Sequence, residues 1–281
     1  MRARAPAADW LPHLILLGGV VIVAFPIYMT FVASSLTPQD ILAGMPLLPG
    51  SHLFANYREA LFTGVAATSG ESVARMLWNT LVMALIIAVG KIAISLLSAY
   101  AVVFFRFPLR MVIFWMIFVT LMLPVEVRIV PTYKVVADLG MIDSFAGLTI
   151  PLIASATATL LFRQFFLTVP DELVEAAKID GAGPLRFLVD TVIPLSSTNM
   201  AALFVILFIY GWNQFLWPLL ITNSAEMTTI VIGLTRMIGT GDGRTDWDIV
   251  MATAILALLP PALVVVLMQR WFVKGLVESE K

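Results

Sequence analysis

The chain of 281 residues is 60 % hydrophobic and 12 % charged, and its net charge is −1. Its mean hydropathy of +0.97 is far above that of soluble domains, which indicates a protein of the lipid bilayer. The absence of cysteine excludes disulfides, and two widely separated histidines and the lack of a basic run give no indication of a metal site or a nucleic-acid partner.

Six apolar stretches follow one another along the chain, and each approaches the roughly 20 residues that a helix needs to cross a bilayer. Arg2 and Arg4 precede the first stretch as they would in a signal peptide, but no clean cleavage site follows, so we interpret it as an uncleaved anchor. The pattern predicts an all-α membrane protein with six transmembrane helices, at about residues 14–33, 76–105, 111–131, 144–162, 199–222 and 249–270.

The distribution of lysine and arginine predicts the orientation of these helices. The short loop after the second stretch reads RFPLR, and short loops rich in arginine stay in the cytoplasm. The N-terminus at 1–13 and the tail at 273–281 are then cytoplasmic as well. The loop at 34–75 becomes extracytoplasmic, and the loop at 163–198 lies in the cytoplasm.

The cytoplasmic loop contains a charged island, Val169–Leu195, in an otherwise apolar chain. Acidic residues follow Pro170 directly, and negative charge is favourable in the first turn of a helix. Gly181 supplies the positive φ that ends this helix, and Pro184 begins a second helix that Pro194 ends. The island therefore predicts a helix, a glycine turn and a second helix, whose apolar stripe is Leu185, Leu188 and Val192.

Two interpretations of the charged island are open. An amphipathic connector would rest on the lipid surface, whereas a docking surface would contact a second protein. The acidic first helix would be repelled by anionic lipid headgroups. Ala176 and Ala177 leave a small, flat face that suits close packing against a partner, so docking is the favoured interpretation.

The sequence EAAKIDGAG, followed by VIPL, resembles the EAA loop of permeases from ABC importers. In that family the loop inserts into a cleft of the cytoplasmic ATPase and transmits its closure to the membrane helices. The segments Tyr210–Leu220 and Gln269–Leu276 resemble the second permease of maltose-type importers, and Phe104–Thr132 and the terminal SEK resemble permeases of sn-glycerol-3-phosphate importers. The resemblance assigns the coupling role to Glu175, Ala176, Ala177, Asp180, Gly181, Ala182 and Pro194.

This resemblance implies a type I ABC importer fold with its permease core at 76–272. It also implies a complex with a homologous permease, two ATP-binding subunits and an extracytoplasmic substrate-binding protein. The chain has no phosphate-cradling GxxxxGK[ST] motif, so we do not expect it to be an enzyme or to bind a cofactor. ATP and Mg²⁺ would bind to the partner ATPase, and the implied substrates are sn-glycerol-3-phosphate and glycerophosphodiesters.

Two alternatives to this function remain open. A sugar or polyol permease would belong to the same family and would carry the same charged island. A standalone secondary carrier or channel belongs to a different class and would not need that island. Such a carrier would often pair an acid with a base inside the membrane, whereas Lys91 is the one charged residue within its predicted span.

Three polar residues inside the predicted helices are candidates for the substrate path. Lys91 lies in the middle of the second helix, where a lysine costs about 2.5–3.5 kcal/mol on insertion scales. It either faces the translocation path and attracts the substrate phosphate, or makes a structural contact with backbone or the partner permease. Asn213 and Gln214 follow Trp212 in the fifth helix, and they either contact a polyol or hold helices together.

Overall fold

The computed structural model describes residues 10–64, 68–239 and 245–278, and every regular element in them is helical, which confirms the all-α class. Residues 1–9 and 279–281, with Arg2, Arg4 and the SEK ending, lie outside the described residues. A π-helical turn lies at Leu188–Val192. The α-helices are α1 Trp10–Ala33, α2 Pro38–Ala43, α3 Leu53–Phe62, α4 Val73–Phe104, α5 Arg110–Met122, α6 Val125–Asp138, α7 Phe145–Thr149, α8 Ala156–Phe166, α9 Asp171–Ile179, α10 Pro184–Phe187, α11 Ile193–Leu195, α12 Ser197–Trp212, α13 Leu216–Ile221, α14 Ile230–Gly239 and α15 Trp247–Glu278.

Three of the described helices are long and apolar enough to cross a membrane, namely α1, α4 and the Trp247–Trp271 part of α15. Two bent pairs also qualify if each pair is one span: Phe145–Leu152 with Ala156–Phe166, and Pro184–Leu195 with Ser197–Trp212. The described part of the chain therefore contains three such helices, or up to five spans with the bent pairs. The predicted count of six is not confirmed.

The structure interrupts three of the stretches for which one helix is predicted. Over 144–162, a bend of 49° separates Phe145–Leu152 from Ala156–Phe166. Over 111–131, α5 ends at Met122 and α6 begins after Pro124. A residue before proline is pushed into the extended conformation, and Leu123 adopts it with φ −61° and ψ 131°. Over 199–222, the chain breaks between α12 and α13 at residues 213–215.

The chain divides into two compact units, of which the first contains the chain up to Arg75 and Gly233–Leu259. In this unit the buried side chain of Asn56, on α3, forms hydrogen bonds to the segment that follows α1. Its amide nitrogen donates to the carbonyl of Ser34 at 3.0 Å and to that of Leu36 at 2.8 Å. These bonds pair the carbonyls of the turn that directly follows α1.

The second unit contains Met76–Ile232 and the chain from Pro260 onward, and it carries all the predicted site residues. The indole nitrogen of Trp217 donates to the carbonyl of Gly147 at 3.0 Å, so a buried ring of α13 is held against α7. Glycine is required there, because a Cβ at position 147 would overlap the carbonyl of Met141. The apolar core around this contact comprises Met83, Ile87, Val136, Leu148, Leu152, Trp217 and Ile221.

Asp143 joins the segment before α7 to the segment after α13. Its carboxylate accepts hydrogen bonds from the amides of Asn223 at 2.6 Å and Ser224 at 2.9 Å, and from the Ser224 hydroxyl at 3.2 Å. Burial acts to raise the pKa of Asp143, but these donors outweigh it and hold the pKa below its ordinary value of 3.8. The sequence predicts both joined segments on the extracytoplasmic side, so the contact is consistent with that orientation.

Asp143→Asn is expected to remove a pH-dependent part of the stability. Because the folded pKa lies below the unfolded value, the carboxylate contributes stability above about pH 4 that is lost as pH falls through the folded pKa. Asparagine keeps an acceptor and tolerates the left-handed φ of +55° found here. In thermal unfolding of the detergent-solubilised protein, wild type should exceed the variant at neutral pH, and the difference should close towards about pH 3. An unchanged difference at pH 3 would contradict this role of the charge.

Candidate functional site

The first helix of the charged island forms as the sequence predicts. Asp171–Ile179 is α9, with Asp171 and Glu172 in its first turn. Gly181 has a φ of +70°, its amide donates to the carbonyl of Lys178, and the next amide donates to the carbonyl of Ala177. This pair of bonds is a Schellman motif, which satisfies the last carbonyls of a helix and turns the chain back.

The second helix of the island continues further than predicted. From α10 the chain passes through the π-helical turn Leu188–Val192 into α11, which extends to Leu195. The helix thus ends one residue after Pro194, the residue at which its end is predicted. Proline lies in the first turn of α11, where its missing N–H is tolerated. The break comes at Ser196, and α12 departs from there at 71° to the preceding helix.

The apolar stripe of the second helix is only partly as predicted. Leu188 and Val192 are buried, but Leu185 is 76 % exposed and Phe187 is buried instead. The sequence argument did not select Phe187, the last residue of α10 before the π-helical turn.

Aromatic side chains anchor the second helix of the island to the end of α4. The hydroxyl of Tyr100 donates to the carbonyl of Pro184 at 2.7 Å. The ring of Phe104 packs edge-on against Phe187 with centroids 5.4 Å apart, and it contacts Phe166 of α8 at 5.8 Å. Sequence reasoning did not single out these residues, although three aromatic residues stand at the end of the second predicted helix. These contacts connect the island to α4, and through Phe104 to α8.

Tyr100→Phe is expected to weaken this anchor while it keeps the ring in place. Loss of one net hydrogen bond costs about 0.5–1.5 kcal/mol, so uptake by the transporter that the EAA-like loop implies should fall by a few-fold at unchanged protein levels. Tyr28→Phe is the matched control, because the Tyr28 hydroxyl also donates to a backbone carbonyl, that of Leu47, within the first compact unit. Equal effects of the two substitutions would contradict a specific role of Tyr100.

The outer surface of the island combines acidic and apolar groups. None of the residues of α9 is buried, and Ile179 is 85 % exposed. Leu173 and Leu185 are exposed as well. Acidic side chains of α9 lie in the same exposed segment as these apolar groups, and such a mixed surface fits a protein partner better than an anionic lipid surface. The island brings the seven residues with the expected coupling role into one surface-exposed segment: Glu175, Ala176, Ala177, Asp180, Gly181, Ala182 and Pro194.

Lys91 lies inside the second unit and is 6 % exposed. Its ammonium nitrogen lies 3.6 Å from the centroid of the Tyr210 ring, a cation–π contact between α4 and α12. The glycine before it, Gly90, allows the segment before α8 to approach α4, because a Cβ at this position would lie 2.7 Å from a methyl group of Ile153. The sequence predicted the depth of Lys91 but not its aromatic partner.

Asn213 and Gln214 lie at the break between α12 and α13. The side-chain amide of Gln214 donates to the carbonyl of Tyr210 at 3.0 Å, which satisfies a carbonyl that the break leaves without a helical partner. Asn213 is the C-terminal cap residue of α12, and its side chain is exposed. Lys91 and Gln214 thus contact the same residue, Tyr210, one at its ring and one at its backbone, whereas Asn213 takes no part in this cluster.

Comparison with known proteins identifies relatives over the full length. The family "Binding-protein-dependent transport system inner membrane component" matches residues 91–278. The sn-glycerol-3-phosphate transport system permease protein UgpE of Brucella melitensis biotype 1 is 67 % identical over 282 residues, with all of both chains covered. The proteins of the same name from Agrobacterium fabrum and Escherichia coli O1:K1 are 67 % and 58 % identical, with 100 % and 96 % of this chain and of the relative covered.

A solved structure shares the fold. It is the crystal structure of a bacterial ABC transporter involved in the import of the acidic polysaccharide alginate. One of its chains superposes with a TM-score of 0.79 at 20 % identity, and the match covers 97 % of this chain and 99 % of that chain.

Proposed function

Because this chain belongs to the family of binding-protein-dependent transport system inner membrane components, we propose that it is the permease subunit of an importer of sn-glycerol-3-phosphate. It is a multi-pass protein of the bacterial inner membrane. The substrate assignment rests on one observation: the chain is 58–67 % identical to permeases named for this compound, over nearly its whole length. Glycerophosphodiesters share the same charged group and are the next substrates to test.

The permease acts in a complex. We infer a homologous permease, two ATP-binding subunits and an extracytoplasmic substrate-binding protein as partners. ATP and Mg²⁺ bind to the ATPase, so the present chain contributes no hydrolytic residue and no cofactor site. The exposed acidic and apolar surface of α9 supports the contact with the ATPase, because charged helix–turn–helix loops of this kind have no use in a carrier that works alone.

Two physical connections support a route from the ATPase to the substrate path. The island is bonded to α4 through Tyr100, and it continues directly into α12 through the bend at Ser196. These two helices also carry the Lys91 and Tyr210 side chains that contact each other. Lys91 and Tyr100 lie about 14 Å apart along α4, since a helix rises 1.5 Å per residue. A movement of the island therefore changes the relative position of Lys91 and Tyr210.

Transport by the reconstituted complex tests the proposed function. The chain is co-purified with its partner permease and ATPase, placed in proteoliposomes with the binding protein, and supplied with radiolabelled sn-glycerol-3-phosphate. ATP-dependent uptake that excess unlabelled maltose or glycerol does not reduce is the expected result. Uptake of a neutral sugar or polyol without uptake of the phosphate compound would refute the substrate assignment.

A further inference from the structure

A second positive charge acts on Lys91. Arg128, on α6, acts electrostatically on Lys91. The ion pairs found among the described residues, Lys134 with Asp138 and Arg186 with Asp190, are exposed and involve neither of these two cations. The part of the chain that the structure describes therefore gives Lys91 an aromatic ring, and no carboxylate, as its closest charge-stabilising partner.

Arg128 lines a small cavity of the second unit. The cavity has a volume of about 20 Å³ and is lined by Arg128, Ile129, Thr132, Pro151, Leu152 and Trp217. Leu152 directly precedes Ile153, which packs on Gly90 beside Lys91. The guanidinium, the hydroxyl of Thr132 and the ammonium of Lys91 thus belong to one connected region of the second unit.

Lys91 is buried and Arg128 is half-buried, so their like charges repel. An anion that reaches both is attracted by both, and the low dielectric constant around Lys91 strengthens its share of the attraction. The face of an aromatic ring stabilises an ammonium only weakly by comparison with a full negative charge. The Tyr210 contact is therefore one that a phosphate can displace. Arginine adds a planar fork of donors that matches phosphate geometry.

We propose that Lys91 and Arg128 form a phosphate-binding site within the translocation path, in which the ring of Tyr210 holds the Lys91 ammonium until an anion arrives. The inference rests on the proposed function, since it assigns the residues that recognise the charged group of the same substrate. Of the two roles that the sequence leaves open for Lys91, attraction of the substrate phosphate or a structural contact, the proposal selects the first. Asn213 and Gln214 are not ligands in this site, and Gln214 supports Tyr210 instead.

The absence of cysteine from the chain allows a direct test. The Lys91→Cys chain is assembled into the full complex. During ATP turnover the complex is treated with aminoethyl methanethiosulfonate, which restores a positive charge to the side chain at residue 91. Uptake of sn-glycerol-3-phosphate is measured before and after this treatment. Ethyl methanethiosulfonate, of similar size and uncharged, is the matched reagent, and the wild-type complex treated identically accounts for cysteines in the partners. Uptake should fall at least about tenfold in Lys91→Cys and recover several-fold with the cationic reagent alone.

Substrate protection provides the second measurement. Bound sn-glycerol-3-phosphate should slow the modification of the thiol in the Lys91→Cys complex several-fold. Equal recovery with both reagents, lack of any modification, or a rate that substrate does not alter would each overturn the site. Ser95→Ala is the matched structural control, because Ser95 is also buried on α4 and donates to the carbonyl of Ser155, and it should leave the concentration dependence of uptake unchanged.

Further comparisons separate the remaining outcomes. A wild-type complex that does not take up sn-glycerol-3-phosphate refutes the proposed function itself, whereas normal uptake by Lys91→Met refutes only the site. The same cations suit the phosphate of a lipid headgroup. Protection that appears with anionic vesicle lipid and without added substrate would assign the site to lipid and overturn its role in recognising the substrate.

Discussion

Gly181→Pro is expected to abolish ATP-driven uptake while the chain remains inserted in the membrane. Proline fixes φ near −65°, whereas Gly181 has a φ of +70°, so the turn between α9 and α10 cannot form. The substitution also removes the amide that donates to the carbonyl of Lys178. A proline in an excluded conformation costs about 3 kcal/mol or more, which corresponds to a loss of at least roughly 100-fold in uptake if the island must keep its shape to contact the ATPase.

The neighbouring glycine provides the control for this prediction. Gly183 has an ordinary φ of −72°, and a Cβ there would meet no atom within 4 Å, so Gly183→Ala should transport normally. Gly181→Asn should fall between the two, because asparagine tolerates a positive φ better than other residues with a side chain. Uptake, ATP hydrolysis and membrane level are measured together. Normal uptake by Gly181→Pro would show that the coupling role assigned to the island is wrong.

Local signals in the sequence were sufficient for the first half of the island. The acids after Pro170 and the glycine at 181 act on backbone groups within one or two turns, so their effect can be read from the order of residues alone. The path through Pro194 could not be read in the same way. It depends on a π-helical turn, which arises where the buried side chains of Phe187, Leu188 and Val192 pack against other helices.

The limits of the sequence argument are clearest for the helix breaks and the site contacts. Hydropathy continues across the breaks at Leu123–Pro124 and at residues 213–215, so it predicts longer helices than the chain forms. The proline in the first break was a usable local signal. The second break is stabilised by a side-chain bond from Gln214. Lys91 could be recognised as unusual by its depth, but its partner Tyr210 lies on a different helix, and such pairs are set by packing.

Close packing of α4 against α12 explains how that pair is positioned. Gly211 follows Tyr210 directly, and a Cβ at position 211 would lie 2.9 Å from the Cα atom of Ala84 and 3.3 Å from its carbonyl oxygen. Both atoms belong to the backbone, so no side-chain rotation relieves the overlap. Small residues allow membrane helices to approach in this manner. The distance between Lys91 and the Tyr210 ring therefore depends on the absence of a side chain at residue 211.

Gly211→Leu is accordingly expected to force α12 away from α4 and to lower both stability and transport. Overpacking of a close interface costs about 1–3 kcal/mol, and here the backbone contact places the effect at the upper end. The detergent-solubilised variant should unfold at a lower temperature than wild type. Its uptake should fall further than the loss of folded protein accounts for, because the cation–π contact between Lys91 and Tyr210 is displaced at the same time.

A leucine introduced at an open glycine separates this packing effect from a general effect of hydrophobic bulk. Gly19, on α1, has no atom within 4 Å of an added Cβ, so Gly19→Leu should leave the unfolding temperature within the error of the wild-type value. If both leucine variants lose the same stability, the loss does not arise from the approach of α4 and α12. Gly211→Leu could instead unfold at a lower temperature and still show the wild-type rate of uptake for each folded molecule. In that case the alignment of Lys91 with Tyr210 has no part in transport.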